Sequence, residues 1–238
     1  MDSDNESKRM KTSLTAIVPV YNEEKFVNKS LEKLASISSV DDILLVDDCS
    51  TDKSLEILNA FSDKHKNVRV YSTEQNGGKG SAIKSVFKYI KTDYAIIHDA
   101  DLEYDPSDIE KMLLYVDLHN KNFVLGSRFL MNSKIQLYRR TYFANKFLSL
   151  VFSVFHSKRI SDIASCYKLM PATYLRKTTF IENGFAIEVE LLAKFLKENK
   201  NLIEVPISYK ARSYEDGKKI KTKDGFKYIY SILKYRLS

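Results

Sequence analysis

Asp99, Asp101 and Glu103 stand directly behind a short apolar run, in the order Ile96-Ile97-His98-Asp99-Ala100-Asp101-Leu102-Glu103. Hard divalent cations such as Mg²⁺ and Mn²⁺ prefer oxygen ligands and bridge protein carboxylates to diphosphate oxygens. Two aspartates one residue apart, just past a buried strand, reach one metal, or one ribose and one metal. A metal held there neutralises charge that builds on a departing diphosphate. Surface loops often contain an Asp-x-Asp; the apolar strand before this one and Glu103 after it raise its specificity. A second acidic pair, Asp47 and Asp48, closes the apolar run 43–46 and precedes Cys49-Ser50-Thr51-Asp52. Ser50 or Thr51 is suited to cap the helix that follows. Capping leaves two adjacent like charges unexplained, and a carboxylate at that position accepts hydrogen bonds from a nucleobase N–H or a ribose hydroxyl. Tyr21-Asn22-Glu23 forms a third polar cluster, after the apolar run 14–20.

Asn76-Gly77-Gly78-Lys79-Gly80-Ser81 lacks the spacing of a P-loop, which excludes that class of nucleotide hydrolase. Glycines ahead of a helix still let the backbone approach a ligand closely; an ordinary turn with a flexible lysine accounts for the same residues. His65, His98, His119 and His156 are scattered and form no ligand set, and His98 is expected to pack beside the acidic motif rather than act. Glu188 and Glu190 are the candidates for a general base, should the acceptor be a hydroxyl; an exposed or helix-bridging carboxylate is the plainer expectation for Glu188.

These residues need a scaffold, and the hydrophobic pattern supplies one. Strands are expected at 14–20, 43–46, 68–71, 94–97, 123–125, 166–170 and 202–209. Helices are expected at 24–37, up to about residue 61, and at 81–90, 106–118, 139–155, 185–197 and 224–237. The last of these carries Phe226, Ile229, Ile232 and Leu233 on one side. Strands that alternate with helices favour parallel βαβ units with right-handed crossovers, and ligands in such sheets sit at the carboxyl ends of the strands. All three acidic clusters fall at those ends.

The chain has 238 residues, enough for one full α/β core, and a net charge of +7. Residues 1–13 are polar and without periodicity, which predicts a disordered leader with no secretory h-region. Two cysteines outside any metal-ligand spacing suit a reducing cytoplasm. No run reaches the ~18–20 apolar residues of a membrane span; residues 142–155 come nearest, interrupted by Asn145 and Lys146. That segment reads either as core or as a helix lying in a lipid headgroup layer. Nine basic residues face three acids between Ser208 and Ser238, so most of the net charge lies in the tail. A basic tail implies a polyanionic neighbour, whether nucleic acid, phosphate groups or an anionic membrane face; a solvated helix fits the charge equally.

Ile17-Val18-Pro19-Val20-Tyr21-Asn22-Glu23-Glu24, the 47–52 segment, 76–79, 99–103 and Gly126-Ser127-Arg128 follow one another in an order and spacing that resembles family 2 glycosyltransferases of the GT-A fold. The likeness continues through 162–168, 185–190 and Glu204-Val205-Pro206-Ile207, and within the family it looks nearest to the dolichol-phosphate mannose synthase branch. The resemblance implies a mostly parallel central sheet flanked by helices, with a catalytic domain over 14–212 and a basic acceptor loop plus amphipathic helix over 213–238. It implies that Pro19, Tyr21, Glu23, Asp47 and Asp48 hold the base and ribose of a GDP- or UDP-linked sugar, with Lys79, Asp99, Ala100 and Asp101 in the same donor site. Asp101 and Glu103 would bind Mg²⁺ or Mn²⁺, Glu103 standing where relatives often have Gln. Arg128, Arg140, Arg212 and Lys219 would meet the donor diphosphate and the phosphate of a polyprenyl acceptor; Asp99, Asp101 and Arg128 would stand nearest the chemistry. The implied setting is the cytoplasmic face of a membrane, held by anionic lipid and by a membrane-anchoring partner protein. Transfer to a hydroxyl of a glycan, lipid or protein in envelope or polysaccharide synthesis is the competing activity.

Other classes fit less well. Sugar nucleotidyltransferases carry a Gly-rich basic signature after the first strand, where this chain has Tyr21-Asn22-Glu23. Three acidic clusters would repel nucleic-acid phosphates, so a nucleic-acid partner is not expected. The absence of Trp argues against processive polysaccharide synthases.

Overall fold

A strand that is apolar along its whole length must be covered on both faces. β1 (Leu14–Val20) is such a strand but for Thr15, whose hydroxyl bonds Thr92, and it lies near the middle of the main sheet. The computed structural model describes residues 12–130, 135–136, 138–198, 201–212 and 222–237. After β1 come α1 (Val27–Ala35), β2 (Asp42–Asp47), α2 (Ser54–Ser62), β3 (Val68–Ser72), α3 (Lys79–Ser85) and β4 (Tyr94–Ile97). The chain continues through α4 (Ser107–Leu113), β5 (Phe123–Ser127), β6 (Ile135–Gln136), α5 (Arg139–His156) and β7 (Lys168–Pro171). It ends with α6 (Ala172–Lys177), α7 (Ile187–Glu198), β8 (Leu202–Pro206), β9 (Tyr209–Lys210) and α8 (Thr222–Leu237).

Among the described residues the main sheet has seven strands in the order β3-β2-β1-β4-β7-β5-β8. All its pairings are parallel except those of β7, which runs antiparallel to both β4 and β5. The mostly parallel sheet expected from the sequence is therefore present, with one reversed strand inserted. β6 and β9 form a separate parallel ribbon. Helices cover both faces through buried apolar positions such as Leu31 and Leu34 of α1 and Ile109 and Met112 of α4.

Some boundaries differ from expectation for identifiable reasons. The helix expected at 81–90 ends at Ser85 and tightens into a 3₁₀ turn over Phe87–Tyr89. That turn buries Val86, Phe87 and Ile90 together, and Phe87 packs edge-on against Phe180. On α8 the buried side is Tyr228, Ser231, Ile232 and Tyr235; Phe226, expected on the apolar side, is 73% exposed. Ser13, assigned by sequence to the leader, is tied by backbone N–H and hydroxyl to the Asp93 carboxylate; residues 1–11 lie outside the described residues.

Candidate active site

Pro19 opens the sheet where the site forms. It has no N–H to give β4, and pairing of β1 with β4 stops at Ile17–Ile97, whereas pairing with β2 continues to Val20–Asp47. The carboxyl ends of β1 and β4 part from there, which makes a crevice. The backbone turns sharply at each rim. Asn22, Cys49 and Leu102, just past β1, β2 and β4, all have positive φ, at 50°, 58° and 62°. Asn tolerates the left-handed region; a Leu there is unusual and costs about 1 kcal/mol or more. The Leu102 turn brings Asp101 and Glu103 to one side.

Those two acids converge with Glu23 around a single guanidinium. Arg212 donates from Nη1 to Glu23 at 2.8 Å, and from Nη2 to the other Glu23 oxygen at 3.3 Å and to Asp101 at 3.1 Å. Its Nε lies 3.8 Å from Glu103, and its backbone N–H donates to Glu103 at 2.9 Å. The Tyr209 hydroxyl donates to the second Glu103 oxygen, and the guanidinium covers the Phe26 ring at 5.2 Å. Burial, with Glu103 and Asp99 nearby, pushes the Asp101 carboxyl up to about 8, against the pull of Arg212. Three carboxyl groups thus meet one guanidinium in a buried setting. Among the described residues no three acidic, Cys or His side chains are gathered as a ready metal cage; the carboxylates are spread around the arginine.

Beside this cluster a line of alternating charges runs into the core. Asp99 accepts from Lys79 at 2.7 Å, Lys79 reaches Glu188 at 2.8 Å, and Glu188 accepts from the fully buried Lys168 at 2.7 Å. Burial opposes the charges on Asp99 and Lys79, but their pairing wins: the Asp99 carboxyl is held below its ordinary value and the Lys79 ammonium above. Glu188 is thus buried between two lysines of different elements, not exposed on its helix. Glu190 is also committed, accepting from the Ile181 and Glu182 N–H groups at 3.0 and 2.8 Å and pairing with Lys194. Burial raises its carboxyl, yet these bonds bring it below the ordinary value.

Asp48 shapes the glycine loop. Its carboxylate accepts from Gly77 N–H at 3.0 Å, Gly78 N–H at 2.7 Å and the Thr73 hydroxyl at 3.0 Å. Asp47 accepts from Ser50 N–H through one oxygen, while its other, buried oxygen has no hydrogen-bond partner. Ser50 and Thr51 do not cap α2 as expected. Ser50 accepts from Asn22 N–H, the Thr51 N–H donates to Asn22, and Asp52 takes the Ser54 N–H. Two rims of the crevice are stitched together in this way. Tyr21 stands half-buried past β1, and Ala100 is buried between the two aspartates.

The other basic residues expected at the site are placed differently from one another. Arg128 is buried, forked onto Asp162 at 2.7 and 2.8 Å, and stacked on Tyr209 at 4.8 Å. Arg140 is exposed on the first turn of α5. Lys219 lies outside the described residues. Asp162 and Lys168 delimit a stretch that the family resemblance marks, with no role attached, and Tyr209 stands at the end of an expected strand. Their partners are 34, 20 and 106 positions away, a separation that no local pattern signals.

Comparison with known proteins follows the same lines. Residues 15–180 match the model of glycosyl transferase family 2. An uncharacterized protein of Methanocaldococcus jannaschii is 31% identical over 87% of this chain and 94% of its own length. The dolichol-phosphate mannosyltransferase of Saccharomyces cerevisiae is 27% identical, over 88% of this chain and 82% of its own. Glucosyl-3-phosphoglycerate synthase from Mycobacterium tuberculosis, solved with uridine diphosphate, superposes with a TM-score of 0.71 at 17% identity, covering 94% of this chain and 80% of that one. At that identity the likeness speaks for the GT-A fold.

Proposed function

This chain belongs to glycosyl transferase family 2 and is a glycosyltransferase, and on that premise we propose that it moves a sugar of the mannose or glucose type from a GDP- or UDP-linked donor to a polyprenyl phosphate. The similarity to a dolichol-phosphate mannosyltransferase supports the acceptor class. The observation that carries the choice concerns the two carboxylates available as a base. Glu188 is locked between Lys79 and Lys168, and Glu190 is held by two backbone N–H groups and Lys194. A hydroxyl acceptor needs a carboxylate to take its proton in the transition state. A phosphate monoester is already anionic and needs none.

In the proposed reaction an acceptor phosphate oxygen forms a bond to the anomeric carbon as the bond from that carbon to the donor diphosphate breaks. The electron pair leaves with the nucleoside diphosphate, and the configuration inverts. The unpartnered Asp47 oxygen is an acceptor for a base N–H or a ribose hydroxyl, while Asp48 fixes the glycine loop and Asp99 and Lys79 the nucleotide side of the crevice. The hard oxygen donors of Asp101 and Glu103 fit Mg²⁺ or Mn²⁺, and a metal held by them supplies charge neutralisation for the diphosphate. Arg128 keeps the β5 edge in place through Asp162, and Arg212 with the lysines that follow it in sequence supplies charge for the acceptor phosphate.

A transfer assay tests the reading. GDP- and UDP-linked mannose and glucose are offered with Mn²⁺ or Mg²⁺ to a short polyprenyl phosphate and, separately, to soluble glycans. The expected product is an inverted glycosyl phosphate lipid; turnover on hydroxyl acceptors with none on the lipid phosphate would reject the proposal.

A further inference from the structure

Three carboxylates from two segments, Glu23 after β1 and Asp101 with Glu103 after β4, gather around Arg212, which bears on cation binding. Arg212 bonds both oxygens of Glu23 and one of Asp101, and its backbone N–H holds Glu103. The side chain is 11% exposed. Its fit is incomplete, because the buried Nε has no hydrogen-bond partner and lies 3.8 Å from Glu103. A buried donor left unmade weakens the hold of the site on that group. The same oxygens of Asp101 and Glu103 are the hard donors that suit a divalent cation.

We infer that Arg212 is the resident cation of the Glu23–Asp101–Glu103 cluster, and that a divalent metal takes its place; the inference rests on the metal-assisted reading of the site. A guanidinium bonded to Glu23 and Asp101 and a compact metal ion on Asp101 repel each other, so the two compete for this cluster. Occupancy by Arg212 lowers the apparent metal affinity by the fraction of molecules in which the cluster is free. Entry of metal with the donor displaces the guanidinium and makes it available to a second anion. Arg212 directly precedes the segment that carries Lys218, Lys219 and Lys221. Donor binding thereby becomes coupled to readiness for the acceptor phosphate, which favours an ordered sequence of donor first and acceptor second.

Mn²⁺ titration followed by electron paramagnetic resonance, on the full chain without nucleotide, tests this directly. Arg212→Gln should bind Mn²⁺ more tightly than wild type by roughly tenfold or more, and Arg212→Lys should fall between them. A second measurement guards against a folding artefact. Metal-free Arg212→Gln should melt below wild type, because its acids face one another unpaired, and Mn²⁺ should raise its melting temperature more than that of wild type. Equal or weaker Mn²⁺ affinity in a folded Arg212→Gln protein overturns the inference alone, provided that wild type binds Mn²⁺ with GDP or UDP present. Absence of Mn²⁺ binding to either protein, with or without nucleotide, overturns both the inference and the metal-assisted reading.

Discussion

His98 sits one residue before the acidic edge, fully buried, with Nδ1 2.9 Å from the Tyr167 hydroxyl and Nε2 3.2 Å from the Ser30 hydroxyl. Burial pushes the imidazole down to about 4, outweighing the attraction of Asp99, while Lys79 pushes it the same way as burial. In the fold the ring therefore stays neutral and packs Ser30 of α1 against β4, as its sequence context suggests. In the unfolded chain a free imidazole takes up a proton below about 6.5. Between 6.5 and 4 the unfolded state binds more protons, so stability falls as the pH falls through that window and is fully present above it. The gap corresponds to about 3 kcal/mol by pH 4. His98→Gln keeps an amide in reach of both hydroxyls but has nothing to titrate. Its unfolding free energy in urea should decline less between pH 7 and pH 4 than that of wild type, by about that amount. Parallel declines would show that His98 does not set the acid sensitivity.

At the scale of elements, the segment 181–184 joins parts of the chain that lie far apart in sequence. Asn183 accepts through its backbone oxygen from Ser81 N–H at 3.0 Å, and its side chain takes Lys84 at 2.8 Å. Glu182 accepts from Lys234 and from the Tyr235 hydroxyl of α8, both at 2.9 Å. The contact on α3 is so close that a methyl group on Gly80 would meet the Glu182 carbonyl oxygen at 2.4 Å. Backbone has no rotamer by which to yield. Gly80→Ala should therefore cost about 2–3 kcal/mol and weaken nucleotide binding, since α3 carries Lys79. Urea unfolding and a GDP or UDP titration measure both, and a neutral result would mean that 181–184 can shift freely. Gly80 is also a fair measure of what the sequence discloses. The glycines before α3 are visible as a motif, and so are the acidic strand ends, because each follows from a local pattern of apolar run and polar break. What presses on Gly80 is not visible, since Glu182 lies about a hundred positions on. The same holds for the lysines that enclose Glu188, the Asp162 partner of Arg128, and the occupation of the acid cluster by Arg212. Local pattern reports which strand end a residue stands on; pairing across the crevice depends on strand order, and β7 enters that order reversed, carrying Lys168 with it.

At the scale of the whole molecule, α5 and α8 pack against each other and are joined by a bond between the His156 ring and the Ile232 carbonyl at 3.1 Å. Each also carries apolar side chains outward. On α5, Phe143, Phe147, Leu150 and Val154 are 67%, 56%, 61% and 68% exposed, and their spacing of four, three and four residues draws one stripe along the helix. On α8, Phe226, Tyr230 and Leu237 are likewise exposed and share a similar spacing. Single exposed apolar residues are ordinary, but contiguous ones mark a surface that meets something apolar. No helix among the described residues is long and apolar enough to cross a membrane. Exposed Arg139, Arg140, Lys227 and Arg236 lie on the same two helices. A basic, aromatic surface of this kind suits the interface of an anionic bilayer, where apolar groups enter the headgroup boundary and each nearby Lys or Arg adds about 1 kcal/mol. A lipid-linked acceptor would be met at that same interface. The protein should float with vesicles that contain phosphatidylserine and much less with pure phosphatidylcholine. Raising salt to about 0.5 M should weaken the binding without abolishing it, because screening removes the charge attraction and leaves the apolar one. The double variant Phe143→Ser, Phe147→Ser should lose vesicle binding while its melting temperature stays near wild type, since exposed side chains contribute little to folding. Flotation unchanged by that pair of substitutions would assign the outward stripe of α5 to something other than lipid.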